Sequence, residues 1–157
     1  MGTTSRRVLV VDDDEALRSL LTYKLEKHGF SVDTLEDGRQ VVDHLRDVPT
    51  DVLLLDLMMP RVDGFQVLRL LREDSKARPK ATIIVSARGR EEDILHAFNF
   101  GVADYVTKPF SLNVLMARID VALQSKAAPE IEAEAAPEAD AETEAQRESE
   151  GEVAADE

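Results

Sequence analysis

Apolar residues along the chain fall into two alternating patterns, unbroken runs of four and longer stretches at helical spacing. The runs are Val8-Leu9-Val10-Val11, Val52-Leu53-Leu54-Leu55 and Thr82-Ile83-Ile84-Val85, with weaker ones at 31–35 and 103–106. Runs without polar alternation suit strands covered on both faces, as in a parallel sheet packed between helices. Between the first two strong runs, residues 15–28 place Leu17, Leu20, Leu21 and Leu25 on one helical face, and Gly29 follows as a C-terminal cap. Residues 38–46, 64–74, 91–100 and 111–124 predict four more helices. In the last, Leu112, Leu115, Met116, Ile119 and Leu123 share a broad apolar stripe. The sum is five β-then-α units in about 125 residues. Right-handed crossovers turn this into an α/β fold, a doubly wound five-stranded parallel sheet. Ligands of such sheets bind beyond the carboxyl ends of the strands.

From Ala127 the pattern stops. Ile131 and Val153 are the only large aliphatic residues there, while Ala and Glu dominate. This segment holds 12 of the 32 acidic residues and one of the 19 basic ones, a formal −11 out of a total of −13. A segment with no apolar face and dense like charge is expected to be disordered. The expected organisation is a flexible N-terminus over 1–5, one folded domain over 6–125 and an acidic Ala/Glu-rich tail over 126–157. Residues 1–126 are nearly neutral at −2 and carry no basic patch, so no nucleic-acid partner is expected. The absence of cysteine excludes disulfides and thiolate chemistry. No apolar stretch reaches membrane-spanning length and no targeting run opens the chain, which predicts a cytoplasmic protein without a membrane partner.

The residues following the strands carry the chemistry. Asp12-Asp13-Asp14 follows the first run, Asp56 the third strand, Ser86 the fourth and Lys108-Pro109 the fifth. Each alone has a commonplace explanation: an Asp after a strand often caps a helix, which suffices for Asp14, a Ser is often a turn residue, and a Lys before Pro is usually at the surface. Together they bring two or three carboxylates, a hydroxyl and an ammonium to one edge of the sheet. Such an acidic surplus raises carboxyl pKa values unless a cation neutralises it. Oxygen ligands in this number favour a hard divalent ion, and Mg2+ fits, since it takes one or two protein carboxylates and completes its shell with water and phosphate. A phosphoryl group would then be held by the metal, Lys108 and the Ser86 hydroxyl, the parts that stabilise in-line transfer. Asp56, set apart from the paired Asp12 and Asp13, is the expected nucleophile.

With those residues assembled, the sequence resembles the receiver domain of bacterial two-component response regulators. The resemblance rests on Val8-Leu-Val-Val-Asp12-Asp13-Asp14, Asp51-Val-Leu-Leu-Leu-Asp56-Leu-Met-Met-Pro60-Arg-Val-Asp-Gly64, Ile83-Ile-Val-Ser86-Ala87 and Asp104-Tyr105-Val-Thr-Lys108-Pro109-Phe110. It implies the flavodoxin-like receiver fold, with Asp56 as phosphoacceptor. It further implies that Asp13 binds Mg2+ directly, Asp12 acts mainly through metal-bound water, and Met58 offers its backbone carbonyl. Lys108 would contact a phosphoryl oxygen, and Pro109 would follow a cis peptide. Ser86 and Tyr105 would form a switch pair, the hydroxyl moving toward the phosphate and the ring turning inward. The implied partner is a sensor histidine kinase or a histidine phosphotransfer protein, with an unknown protein target downstream.

Residues 101–119 look most like receivers attached to winged-helix DNA-binding domains, which pair through the fourth helix, fifth strand and fifth helix. Asp104 and Arg118 match that pattern, whereas Val114 stands at a usually acidic position. The expectation is a stand-alone receiver, monomeric or weakly dimerising on phosphorylation, that acts as a signalling phosphoacceptor rather than an enzyme. One alternative is a Mg2+-dependent phosphohydrolase with an Asp nucleophile, but its acid-base Asp two residues on is here Met58. Another is a receiver-like interaction module that is never phosphorylated, against which the complete set of Asp12, Asp13, Asp56, Ser86 and Lys108 argues. His28, His44 and His96 are assigned no chemical role.

Overall fold

A computed structural model describes residues 5–124 of the chain. Strands β1 (Arg7–Val11), β2 (Ser31–Leu35), β3 (Val52–Leu55), β4 (Ala81–Ser86) and β5 (Asp104–Thr107) alternate with helices α1 (Glu15–Lys27), α2 (Val41–Asp47), α3 (Gly64–Arg72), α4 (Glu91–Asn99) and α5 (Leu112–Gln124). All neighbouring strands are parallel, in the order β2-β1-β3-β4-β5. This is the five-stranded flavodoxin-like order, with its reversal at β1 and β3. The expected flexibility at residues 1–4 and the expected disordered tail over 126–157 lie outside the described residues.

The alternation of side chains along each strand explains why the apolar runs are unbroken. Leu9, Val11, Leu53, Leu55 and Ile84 point to one face, where Val41 and Leu45 of α2, Phe65, Val67, Leu68 and Leu71 of α3 and Ala97 of α4 cover them. Val8, Val10, Val52, Leu54, Ile83 and Val85 point to the other, covered by Leu21 and Leu25 of α1 and by Leu115, Met116, Ile119 and Leu123 of α5. Strand β2 lies at the sheet edge and is only partly buried. Its Asp33 pairs with Arg7 at 3.1 Å and with His44 at 3.1 Å, which places charge on an edge that would otherwise invite pairing with another chain.

Helix starts follow local chemistry. The Asp14 carboxylate accepts the Leu17 N–H at 3.2 Å, and Asp63 and Gln66 form a reciprocal capping box at the start of α3. Gly29 sits at φ 93°, as expected of a residue just past a helix end. Two details differ from the sequence expectation. The stretch 38–46 begins as a single 3-10 turn (Gly38–Gln40) before α2, because the Asp37 carboxylate caps it through the Arg39 N–H two residues on. Leu20, placed on one helical face with Leu17, Leu21 and Leu25, is 47% exposed, whereas Leu21 and Leu25 are buried and Leu17 is partly buried against the core. Among the described residues no helix is long and apolar enough to cross a membrane.

Candidate phosphoacceptor and metal site

Sheet register assembles the site. Val11 pairs with Leu55, so Asp12 and Asp56 leave the sheet side by side, and the Asp56 N–H donates to the Val11 carbonyl at 3.1 Å. Ser86 pairs with Thr107, which brings Lys108 next, and the Lys108 N–H donates to the Ser86 carbonyl at 2.8 Å. The Lys108–Pro109 peptide is cis. Asp12, Asp56 and Ser86 are all buried, whereas Asp13 is exposed. One carboxylate oxygen from each of Asp12, Asp13 and Asp56 lies within 4.8 Å of the others. The Lys108 ammonium donates to Asp12 at 2.8 Å and to Asp56 at 3.2 Å. Asp12, Asp13 and Asp56 therefore converge, with Lys108 shared between Asp12 and Asp56.

The electrostatics are unbalanced. Burial pushes the Asp12 carboxyl above its ordinary value, and the charge of Asp56 adds to the rise, while Lys108 and the Asp14 N–H hold it down. Burial acts against the charged Lys108 ammonium too, but Asp12 and Asp56 outweigh it and leave its pKa raised. Three carboxylates against one ammonium keep a negative surplus in a half-closed, oxygen-rich cleft. That donor set, open on the Asp13 side, suits a hard divalent cation.

Backbone contacts fix the carboxylates. The Met58 N–H donates to Asp56 Oδ1 at 3.0 Å, and the Asp14 N–H to Asp12 Oδ1 at 2.9 Å. The Arg18 guanidinium donates to the Asp12 carbonyl at 2.8 Å, a support that the sequence reading missed because Arg18 reads as an ordinary solvent-facing helix residue. Gly64 lets the start of α3 lie against the chain at Asp56. A Cβ there would come within 2.5 Å of the Asp56 carbonyl and 2.7 Å of the Leu57 Cα.

Ser86 and Tyr105 meet at one residue. The Ser86 hydroxyl accepts the Arg88 N–H at 3.2 Å, and the Tyr105 hydroxyl donates to the Arg88 carbonyl at 2.6 Å. Tyr105 is buried, and its hydroxyl is engaged by a backbone carbonyl, unlike the surface hydroxyl expected of a lone strand tyrosine. Burial, followed by the charge of Asp93, raises its pKa. Asp104 and Arg118 are joined at 2.8 Å within the chain. Among the histidines, His44 faces Asp33 and His96 stacks on Phe65 with ring centroids 4.4 Å apart.

Comparison with known proteins agrees with this geometry. Residues 8–120 match the family described as response regulator receiver domain. The chain is 40% identical over 125 residues to the phosphate regulon transcriptional regulatory protein PhoB of Rhizobium meliloti, covering 80% of this chain and 55% of that protein. It is 41% identical over 113 residues to the transcriptional regulatory protein TrcR of Mycobacterium tuberculosis, covering 72% and 43%. The chain thus spans about half the length of the curated relatives it matches. Among solved structures, the receiver domain of the Francisella response regulator 1452 superposes with a TM-score of 0.70 at 30% identity, covering 76% of this chain and 98% of that one. The chemotaxis protein CheY4 of Vibrio cholerae has the same fold, with a TM-score of 0.71 at 24% identity over 76% of this chain and all of that one. With its fold, its acidic cleft and residues 8–120 in agreement, the chain belongs to the receiver domain family of two-component response regulators.

Proposed function

We propose that Asp56 is the phosphoacceptor and that the donor is the phosphohistidine of a sensor histidine kinase or a histidine phosphotransfer protein. The observation that carries this reading is the convergence of Asp12, Asp13 and Asp56 around a cleft in which Lys108 bridges Asp12 and Asp56. An Asp56 carboxylate oxygen attacks phosphorus in line. The P–N bond breaks, its electron pair returns to the imidazole of the donor, and an acyl phosphate remains on Asp56. Lys108 stands where a phosphoryl oxygen would gather charge, and the Met58 N–H holds the carboxylate in one orientation. Asp12, Asp13, Asp56 and the Met58 backbone carbonyl would hold Mg2+, which supplies charge neutralisation for the phosphoryl oxygens.

Ser86 and Tyr105 act as the readers of this state. A phosphate that draws the Ser86 hydroxyl toward itself takes it from the Arg88 N–H, and the Tyr105 ring, bonded through its hydroxyl to the Arg88 carbonyl, turns inward to fill the space vacated. The segment entering α4 is then biased between two arrangements, and the surface of α4, β5 and α5 carries the difference to a protein target. The pairing of copies through this surface, if phosphorylation promotes it, is weak, because Arg118 already satisfies Asp104 within the chain. On this reading residues 6–125 are the receiver domain, the exchange takes place in the cytoplasm, and nucleic acid has no part in it. The chain provides the acceptor and its self-dephosphorylation chemistry rather than turnover of a substrate.

Incubation with phosphoramidate, followed by intact-mass measurement with and without Mg2+, tests the reading. Wild type is expected to gain one phosphate only with the metal, and Asp56→Asn none. An adduct that persists in Asp56→Asn overturns the acceptor assignment, and a metal-independent adduct overturns the role of the cation.

A further inference from the structure

The loop between β3 and α3 follows Asp56 directly and contains Met58, so its conformation governs both. Arg61 in this loop has φ 65°, a left-handed conformation that its Cβ disfavours. A residue without glycine's freedom needs an outside constraint to stay there. That constraint comes from the turn after β2. The Arg61 guanidinium reaches Asp37 Oδ2 through Nε and Nη2, both at 3.2 Å. Asp37 is 5% exposed and is itself fixed by the Arg39 N–H at 2.8 Å and the Arg39 guanidinium at 2.9 Å. Two guanidinium groups on one carboxylate hold its pKa down to about 2, Arg39 contributing more than Arg61.

A second contact ties the same two segments together independently. A Cβ on Gly38 would come within 2.7 Å of the Val62 carbonyl and 2.6 Å of Val67 Cγ2. The turn after β2 is therefore pressed against the loop after β3 at consecutive residues, Asp37 on Arg61 and Gly38 on Val62. Neither strand pairs with the other in the sheet, since β1 lies between them. Contact between their loops supplies a cross-connection that the strands do not.

We propose that Asp37 and Arg61 are positioning residues of the metal-binding cleft, acting through the β3–α3 loop. Resting on the functional reading above, this extends it to two residues that touch neither phosphate nor metal. Without the bridge, Arg61 relaxes from its left-handed conformation, and the loop no longer presents the Met58 carbonyl and N–H in register with Asp56. The cleft then loses affinity for Mg2+ before the fold loses stability, because Arg61 is half exposed and contributes nothing to the apolar core.

The test uses the full chain in four forms: wild type, Asp37→Asn, Arg61→Gln and the double variant. Two quantities are read, the Mg2+ dissociation constant by calorimetry and the Mg2+ concentration that half-saturates phosphorylation by phosphoramidate. Each single variant is expected to weaken Mg2+ by about tenfold, the scale of residues that orient metal ligands without touching the metal. The double variant should weaken it no further than the stronger single variant, since both remove one bridge. Arg61→Lys should recover part of the loss. Single variants that bind Mg2+ within twofold of wild type, whatever their melting temperatures, overturn the proposal, as do fully additive effects in the double variant. The calorimetric constant reads the clamp even where no phosphate adduct forms on Asp56, so the two readings fail separately.

Discussion

Lys108 is the residue on which the site's charge balance turns. Its side chain is 21% exposed, and its ammonium is shared between Asp12 and Asp56, whose side chains are 4% exposed. Replacing it by methionine keeps the volume and removes the charge, which leaves Asp12 and Asp56 facing one another. In metal-free buffer Lys108→Met is expected to lower stability by about 1–3 kcal/mol, the cost of stranding buried polar partners. The pH dependence has a defined sign. A lysine whose pKa is raised on folding contributes its full stabilisation below its ordinary value of 10.5, and loses it as pH rises through the folded value. The lysine's contribution to the gap between wild type and variant should thus be full up to about 10.5 and fade above it. At acid pH, protonation of Asp12, whose carboxyl Lys108 holds down, closes the gap from the other side, as read by urea denaturation. A Mg2+ ion competes with the ammonium for the same oxygens, so Lys108→Met should bind Mg2+ more tightly while accepting phosphate more slowly. Weaker metal binding in the variant would mean that Lys108 organises the carboxylates instead of only neutralising them.

At the level of elements, what the sequence disclosed and what it concealed separate along a physical line. Strands buried on both faces are apolar along their length, so Val8–Val11 and Val52–Leu55 were legible as strands from their unbroken apolar runs between stretches of helical spacing. The doubly wound topology then placed Asp12, Asp56, Ser86 and Lys108 at one edge, which is why the candidate site could be assembled before any contact was known. The Asp14 cap and the cis peptide before Pro109 were legible too, the first from local spacing and the second from the family resemblance. The bridge from Asp37 to Arg61 was not, because it joins two loops 24 residues apart and no local pattern marks an arginine at positive φ. The exposure of Leu20 escaped for a related reason, since helical spacing gives the direction of a face but not how far the sheet extends beneath it. Gly64 sits between these cases: its place after Asp63 reads as a helix start, but its closeness to the Asp56 carbonyl needs coordinates. Gly64→Ala would force the start of α3 away from Asp56, since a Cβ at 2.5 Å from a backbone oxygen cannot be accommodated by a side-chain rotation. The expected cost is about 1–3 kcal/mol in stability. Phosphorylation should slow as well, because the displaced backbone carries the acceptor. A variant that is destabilised yet phosphorylated at the wild-type rate would show that α3 and the acceptor move independently.

For the whole molecule, the decisive fact is that both faces of the sheet are closed by residues between Val8 and Leu123. Helices α2, α3 and α4 cover one face and α1 and α5 the other, so the core described has its full complement of helices by Gln124. The sequence beyond adds little that a core could use, with Ile131 and Val153 its only large aliphatic side chains. It carries most of the chain's net negative charge instead, a property that bears on solubility and long-range repulsion. The proposed domain boundary at 125 follows from this division. A chain ending at Gln124 is expected to unfold in one cooperative transition, with a melting temperature within about 2 °C of the full chain in moderate salt. Since about 1 kcal/mol of lost stability lowers the melting temperature of a domain near this size by about 4 °C, calorimetry can resolve the alternative. A larger fall on truncation would place part of the folding energy beyond Gln124, whereas a rise confined to low salt would identify charge repulsion as the tail's contribution.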